Sequence, residues 1–275
     1  MNYSYITYLA NDSYLIGTLA LYNSLLQSKN KYPLTVMVGK KVTSKSKQQL
    51  KKLGIKTILI PTILPKNNNL LQNKRSGYSQ WNNTFSKLYI FNLNQFDKIV
   101  FIDSDIFVKK NLDHLFDCPN LSAVVSGKSY PGNHSWNKLN SGLMVIVPEK
   151  ATFNKLIHTL NSFKKNDTLG DQDIINNYFD NWNRNECLHL PESYNVIARF
   201  EPFFRYKNHP IYAIHFTGAK KPWQFSKLDY FKYVLNLCIR QIIIIKSMKG
   251  LCETIRDLTE YIWLCKKVRR TLFSK

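Results

Sequence analysis

The sequence predicts an α/β protein organised around an open sheet. Short apolar runs of strand length alternate with helical runs from residue 3 to about residue 223. One of these runs stops abruptly at paired aspartates, the strand end at which open α/β sheets hold ligands. With 275 residues, 44% of them hydrophobic and 13% aromatic, the chain can bury a core without disulfide support, which excludes global disorder.

Residues 3–9 read as a buried strand, after which Asn11, Asp12 and Ser13 offer caps to a helix carrying Leu15, Leu19, Tyr22 and Leu26 at helical spacing. Residues 34–38 form a second strand, 44–53 a polar helix closed by Gly54, and 56–60 a third strand ending at Pro61. The Asn-rich stretch 66–73 reads as a solvated surface loop or mobile lid. Beyond it, 85–93 is helical, and 98–102 is an apolar strand that delivers Asp103, Ser104 and Asp105 to the sheet edge. Residues 123–126 and 142–147 are strands, 150–164 and 171–179 helices, and 211–214 a strand ahead of His215. From residue 224 the chain turns helical and more basic, with 11 Lys and Arg against 4 Asp and Glu, and offers no strand to extend the sheet. A boundary is expected there, dividing a domain over 1–223 from a basic amphipathic tail over 224–275.

Lys and Arg outnumber Asp and Glu by 39 to 18, a net charge of +21 that favours polyanionic partners: nucleic acid, an anionic membrane or a phosphate-bearing substrate. Nucleic acid is set aside, because no helix-turn-helix, RNP or zinc-finger pattern accompanies the charge. Five cysteines without a C-x-x-C pair suggest neither a disulfide framework nor a thiolate zinc site, and fit a reducing compartment. No leader pattern opens the chain, and the most apolar run, 241–245, is far short of a membrane span. A cytoplasmic protein is expected.

Three constellations carry chemistry. Asp103-x-Asp105 places two carboxylates on one face of an extended segment, where they can share a hard divalent cation; taken alone, such a pair is more often a solvated loop or cap. His215 precedes Gly218, Lys220 and Lys221, so that His-x-x-Gly-x-x-Lys reads as a metal ligand beside a diphosphate-binding loop, although a lone histidine at a strand end is more often structural. Asn140-Ser141-Gly142 enters a strand and Gly170-Asp171-Gln172-Asp173 opens a helix; separately a turn and a cap, together they supply amides and carboxylates suited to a polyhydroxylated ligand.

The order of these pieces resembles the glycogenin-like retaining glycosyltransferases, glycosyltransferase family 8, a group that includes bacterial lipopolysaccharide galactosyl- and glucosyltransferases. The matching segments are Tyr5-Ile6-Thr7 through Leu9-Ala10-Asn11-Asp12-Ser13-Tyr14, Phe85-Ser86-Lys87-Leu88, Val100 to Asp105, Asn140-Ser141-Gly142-Leu143, Gly170 to Ile174, His189-Leu190-Pro191, and His215-Phe216-Thr217-Gly218 with Lys221-Pro222-Trp223. The resemblance implies a GT-A fold, Rossmann-like and nucleotide-sugar-binding, with a UDP-sugar donor and Mn2+, or Mg2+ in its place. It implies Asp103, Asp105 and His215 as metal ligands. Asn11 and Tyr14 are assigned to the uridine end, with Leu9, Ser104 and Ser141 on the donor. Lys87 would assist donor binding, and Gly218 and Lys221 would hold the diphosphate. Asn140, Asp171 and Gln172 are assigned to the transferred sugar, and Asp171, Gln172 and Lys221 to catalysis. One departure stands out: no carboxylate lies about eight residues ahead of Asn140, where Asn133 is the nearest substitute.

The implied reaction moves glucose or galactose, with retention, to a surface-glycan or lipid-linked acceptor, by a front-face path or a transient adduct involving Asp171 or Gln172. Self-glucosylation of a tyrosine is the alternative. In the tail, Leu251, Ile255, Leu258, Ile262, Cys265, Val268 and Leu272 fall on one helical stripe, which can lie on an anionic leaflet or pack on the catalytic domain. The expected partners are the donor, a glycan acceptor, an anionic membrane surface at the inner face and a second copy of the chain.

Overall fold

The computed structural model describes residues 1–66, 69–164, 167–245 and 247–273. Its elements in chain order are β1 (Tyr3–Asn11), α1 (Leu15–Gln27), β2 (Leu34–Lys41), α2 (Ser44–Lys52), β3 (Lys56–Leu59), α3 (Asn69–Arg75), β4 (Lys98–Ile102), β5 (Ile106–Val108), β6 (Ala123–Val124), β7 (Asn140–Ile146), α4 (Lys150–Ser162), α5 (Asp171–Tyr178), β8 (His189–Leu190), β9 (Val196–Ile197), α6 (Glu201–Tyr206), β10 (Ala213–His215), α7 (Lys227–Arg240) and α8 (Leu251–Phe273).

The main sheet has the order β3-β2-β1-β4-β7-β6-β8, with β3, β2, β1 and β4 parallel and β7 antiparallel to β4. Ile99 to Ile102 are wholly buried, as a strand covered on both faces requires. On one face Tyr5, Leu9, Val100 and Ile102 pack with Leu15, Leu19 and Leu25 of α1; on the other Ile6, Ile99 and Phe101 pack with Leu88, Phe91, Leu156 and Ile174. Leu26 is exposed and Leu25 takes the core position expected of it. Residues 85–92 coil as a tighter 3-10 helix. A second sheet, β5-β10-β9, stands beside the first and ends in His215, which is the last residue of β10 rather than a loop residue after it.

Two expectations change. Of the Asn-rich loop, Asn67 and Asn68 lie outside the described residues, but 69–75 form α3, and Asn69 and Asn73 are fully buried. Their amides bond to the backbone of Lys164, Asp167 and Leu169, so this part is bolted to the body rather than solvated. The apolar stripe of α8 is likewise covered by protein. Leu258, Tyr261, Leu264 and Cys265 join Phe107, Phe203, Phe216 and Trp223 in a third core cluster, and Tyr261 stacks on Phe216 at 4.6 Å with ring planes 7° apart. A buried ion network secures the same helix: Asp257 pairs with Arg205 and with Lys109 (3.1 Å), and Arg205 with Glu201 (3.0 Å). Enclosure of Glu201, reinforced by Asp257, raises its carboxyl well above the usual value against the pull of Arg205.

The exposed apolar surface lies instead on α7 and the turn after it, where Leu228, Phe231, Leu235, Ile239, Ile242 and Ile243 face outward. Among the described residues no helix is long and apolar enough to cross a membrane.

Candidate active site

β4 and β10 bring their ends together at the carboxyl edge of the sheet. Asp103 and Asp105 follow β4, His215 closes β10, and one ligand atom from each lies within 4.8 Å of the others. His215 Nε2 stands 3.3 Å from Asp105 and 3.9 Å from Asp103, a spread that ligands at roughly 2.0–2.6 Å from one hard cation can span. The imidazole is oriented for this. Asn195 gives its Nδ2 hydrogen to Asn140 Oδ1 (2.7 Å), which turns its own Oδ1 toward His215 Nδ1 (2.9 Å). Nδ1 must then carry the proton, leaving the Nε2 lone pair directed at the aspartates. Two carboxylates and a free imidazole nitrogen suit a divalent ion, and water or phosphate oxygens can complete its shell.

Two lysines flank the cluster. Lys221 Nζ lies 2.5 Å from Asp105 and 3.0 Å from the carbonyl of Phe216. Burial disfavours charge on both partners, but Lys221 outweighs it at Asp105 and holds that carboxyl below its ordinary range, while Asp105 keeps Lys221 above its own. Asp103 moves the other way: enclosure, with Asp105 nearby, raises it above the usual carboxylate value despite Lys87, although its side chain remains 28% exposed. Lys87 Nζ sits 3.0 Å from Asp103 and 3.0 Å from Asp171, and Ser141 Oγ bonds to Asp171 at 2.7 Å. Gln172 Oε1 accepts from the Ser141 amide at 3.2 Å. Each carboxylate therefore has a lysine beside it, Lys221 at Asp105 and Lys87 between Asp103 and Asp171.

Backbone approach is tight at two glycines for which the sequence carried no such expectation. A Cβ on Gly142 would lie 2.4 Å from His215 Cε1, and one on Gly17 would lie 2.5 Å from the Trp223 indole. Gly218 is not of this kind, since a Cβ there would meet only the Lys220 carbonyl at 3.6 Å.

A cleft of about 400 Å³ gathers most of the expected residues: Tyr14, Lys87, Asp103, Ser104, Asp105, Asn140, Ser141, Asp171, Gln172, His215, Gly218 and Lys221 all line it. Three do not. Leu9 is sealed in the core, because strand alternation gives the cleft Tyr8 and Ala10 instead. Asn11 caps the turn at 12–14 by accepting from the amide of Ser13. Asn133 lies beside Gly127, while Trp136, three residues further on, lines the cleft. Sequence reasoning missed Asn195, Trp81 and Trp136. The last two carried a readable signal, aromatic residues amid polar loops; Asn195 carried none.

A mostly parallel sheet with this cleft at its carboxyl edge is the architecture of the GT-A glycosyltransferases. The galactosyltransferase LgtC, solved with donor and acceptor sugar analogs, superposes with a TM-score of 0.55 at 14% identity, over 86% of this chain and 95% of its own. The bifunctional glycosyltransferase WbbM gives 0.57 at 22% identity, over 89% of this chain and 51% of its own. The chain belongs to Glycosyl transferase family 8, whose family model matches residues 5–227. Human glycogenin-1 is 31% identical over 232 residues, 81% of this chain and 63% of that protein; UDP-glucuronate:xylan alpha-glucuronosyltransferase 2 of Arabidopsis thaliana is 31% identical over 256 residues, 89% and 39%. The chain thus spans less than two thirds of the length of these relatives.

Proposed function

We propose that this family 8 glycosyltransferase moves a hexose, glucose or galactose, from a UDP-sugar to a hydroxyl of a glycan acceptor with retention of configuration. The observation that carries the reading is the meeting in one cleft of Asp103, Asp105 and His215 with Lys221 on one side and Asp171 and Gln172 on the other.

Asp103, Asp105 and His215 Nε2 would hold Mn2+, or Mg2+ in its place, and the ion when bound supplies Lewis-acid stabilisation of the departing diphosphate. Lys221 adds a buried positive charge where that negative charge develops, with the Gly218 backbone beside it. Tyr14 lies on the uridine side. Lys87 and Ser141 hold the Asp171 carboxylate in place, so that Asp171 and Gln172 face the sugar and orient its hydroxyls. The acceptor hydroxyl then enters on the face from which the diphosphate leaves.

The test is a panel of UDP-glucose, UDP-galactose and UDP-glucuronate scored for Mn2+-dependent hydrolysis, with Asp103→Asn as the control. Activity in that variant within a few-fold of the unaltered protein sinks the metal assignment, and hydrolysis of none of the panel sinks the donor assignment. Mass spectrometry of the protein after incubation with UDP-glucose separates the self-glucosylating alternative.

For attachment to the inner face of a membrane, support shifts from α8 to α7. Leu228, Phe231, Leu235 and Ile239 recur at helical spacing on its outer face, continued by Ile242 in the turn after it, with Lys227, Lys232 and Arg240 exposed alongside. An apolar stripe flanked by cations suits an anionic leaflet, and the net charge of +21 has the right sign.

A further inference from the structure

Beyond Asp171 the cleft wall changes character. Trp81, Trp136, Gln80 and Asn83 line this end, and Trp136 is 42% exposed. The turn at 79–83 sits against the start of α5: a Cβ on Gly170 would lie 3.7 Å from Trp81, and the Asp171 amide donates to Thr84 Oγ1 at 3.1 Å. Tyr14 belongs to the other end, edge-on to Trp223 at 6.0 Å. The indoles therefore flank the sugar side of the cleft and not the side of Lys221 and Tyr14. Trp81 is held flat by Tyr78, stacked at 4.3 Å and 18°.

A second cavity, of about 310 Å³, adjoins this end, and Asp173 lines both. Phe163 and Phe179 form part of its wall, while Asn137, Asn177, Asp180 and Asn183 contribute polar groups. Asn176 is spent internally, since its amide bonds to Leu139 and Gln172. The amides of Asn137 and Asn177 are different: they are exposed, and make no hydrogen bond among the described residues. Asn183 is exposed as well.

We infer that these two surfaces form one acceptor groove for an oligosaccharide of at least two pyranose rings. Trp136 and Trp81 would stack on the C–H face of the ring nearest the reaction, and Asn137, Asn177 and Asn183 would bond to hydroxyls of the ring beyond it. A pyranose presents an apolar face and a rim of paired donors and acceptors, which an indole followed by free side-chain amides complements. A peptide would leave the amides facing side chains of mixed character. A uracil ring would need the platform at the Tyr14 end. The inference rests on the reading of the cleft as a glycosyltransferase site and names the chemistry of its second substrate.

Saturation-transfer NMR with maltohexaose, xylohexaose and cellohexaose, each against its monosaccharide, tests the groove on the full chain. At least one hexasaccharide should bind, on the order of tenfold more tightly than its monosaccharide, the return from one or two added hydrogen bonds. Trp136→Ala should abolish the signal, and Asn177→Ala with Asn183→Ala should reduce hexasaccharide affinity to that of the monosaccharide; all three positions are on the surface, and melting curves check that the variants are folded. Binding by none of the sugars in a preparation that hydrolyses UDP-sugar overturns the groove and leaves the donor reading standing. Binding unchanged in both variants also overturns it, as does a tenfold loss of UDP affinity in Trp136→Ala, which would put the base on the indole. Hexasaccharide binding without hydrolysis of any UDP-sugar upholds the groove and fails the donor reading.

Discussion

Lys87 and Asp171 form a buried ion pair at 3.0 Å, with side chains 5% and 8% exposed, and the same ammonium reaches Asp103. Burial works against the charge on Lys87, but Asp103 and Asp171 overcome it and hold its pKa above the ordinary value. The residue is thus a strut between the carboxylate that would bind metal and the carboxylate that would face the sugar.

Lys87→Met should cost about 3 to 5 kcal/mol of stability, because it leaves Asp171, whose side chain is only 8% exposed, without its ion-pair partner. Thermal denaturation checks this, and a double variant with Asp171→Asn should recover most of the loss. No recovery would mean that Lys87 contributes through its stem against Phe101, over which its ammonium lies at 4.6 Å.

Asn195→Ala should weaken Mn2+ binding by roughly 10- to 100-fold, the usual cost of removing an outer partner of a ligating histidine. Isothermal titration with Mn2+ measures it. Asn195→Asp keeps an acceptor for His215 Nδ1 and should restore much of the affinity, which a purely packing role would not predict.

Glu201 makes stability depend on pH. Its folded pKa is raised, so the folded state holds the proton more tightly than the unfolded chain does. The contribution is full below the ordinary value near 4.5 and is lost as pH rises through the folded value. Glu201→Gln should flatten the decline in melting temperature as pH rises above about 4.5. An unchanged slope would show that Glu201 stays ionised.

Phe231→Asp with Leu235→Asp should release the protein from anionic vesicles while leaving its melting temperature close to that of the unaltered chain, since both positions are exposed. Leu258→Asp should do the reverse, lowering the melting temperature because that residue is only 2% exposed. If the unaltered protein ignores vesicles and sediments as a dimer that the α7 variant dissolves, the face belongs to a second copy of the chain.

Much of the fold was legible because its signals are local. The run Ile99 to Ile102 has no polar residue, so its strand and the aspartates at its end could be placed from order alone. His215 and Lys221 were found by spacing. Asn195 could not be, because its role comes from the pairing of β9 with β10, in which Ile197 lies opposite His215; nothing near residue 195 records that register. The stripe of α8 left two readings open for a related reason, and the structure shows the packed one. Helical periodicity says that a face is covered but not by what, and lipid and protein demand the same apolar residues. Leu9 was assigned one position out of phase with the alternation that turns Tyr8 and Ala10 to the cleft.

The stacking of Tyr261 on Phe216 bears on the order in which the molecule is made. Phe216 follows His215, and its other ring neighbours include the indole-bearing cluster that α8 completes. Translation delivers β4, β10 and all of the cleft before residue 261 leaves the ribosome, and domains otherwise fold as their early elements emerge. A nascent chain halted ahead of α8 would hold every group of the site in sequence yet lack the helix that completes the core cluster around Phe216. Chains that lack α8 should therefore acquire the main sheet yet bind metal more weakly than the full chain.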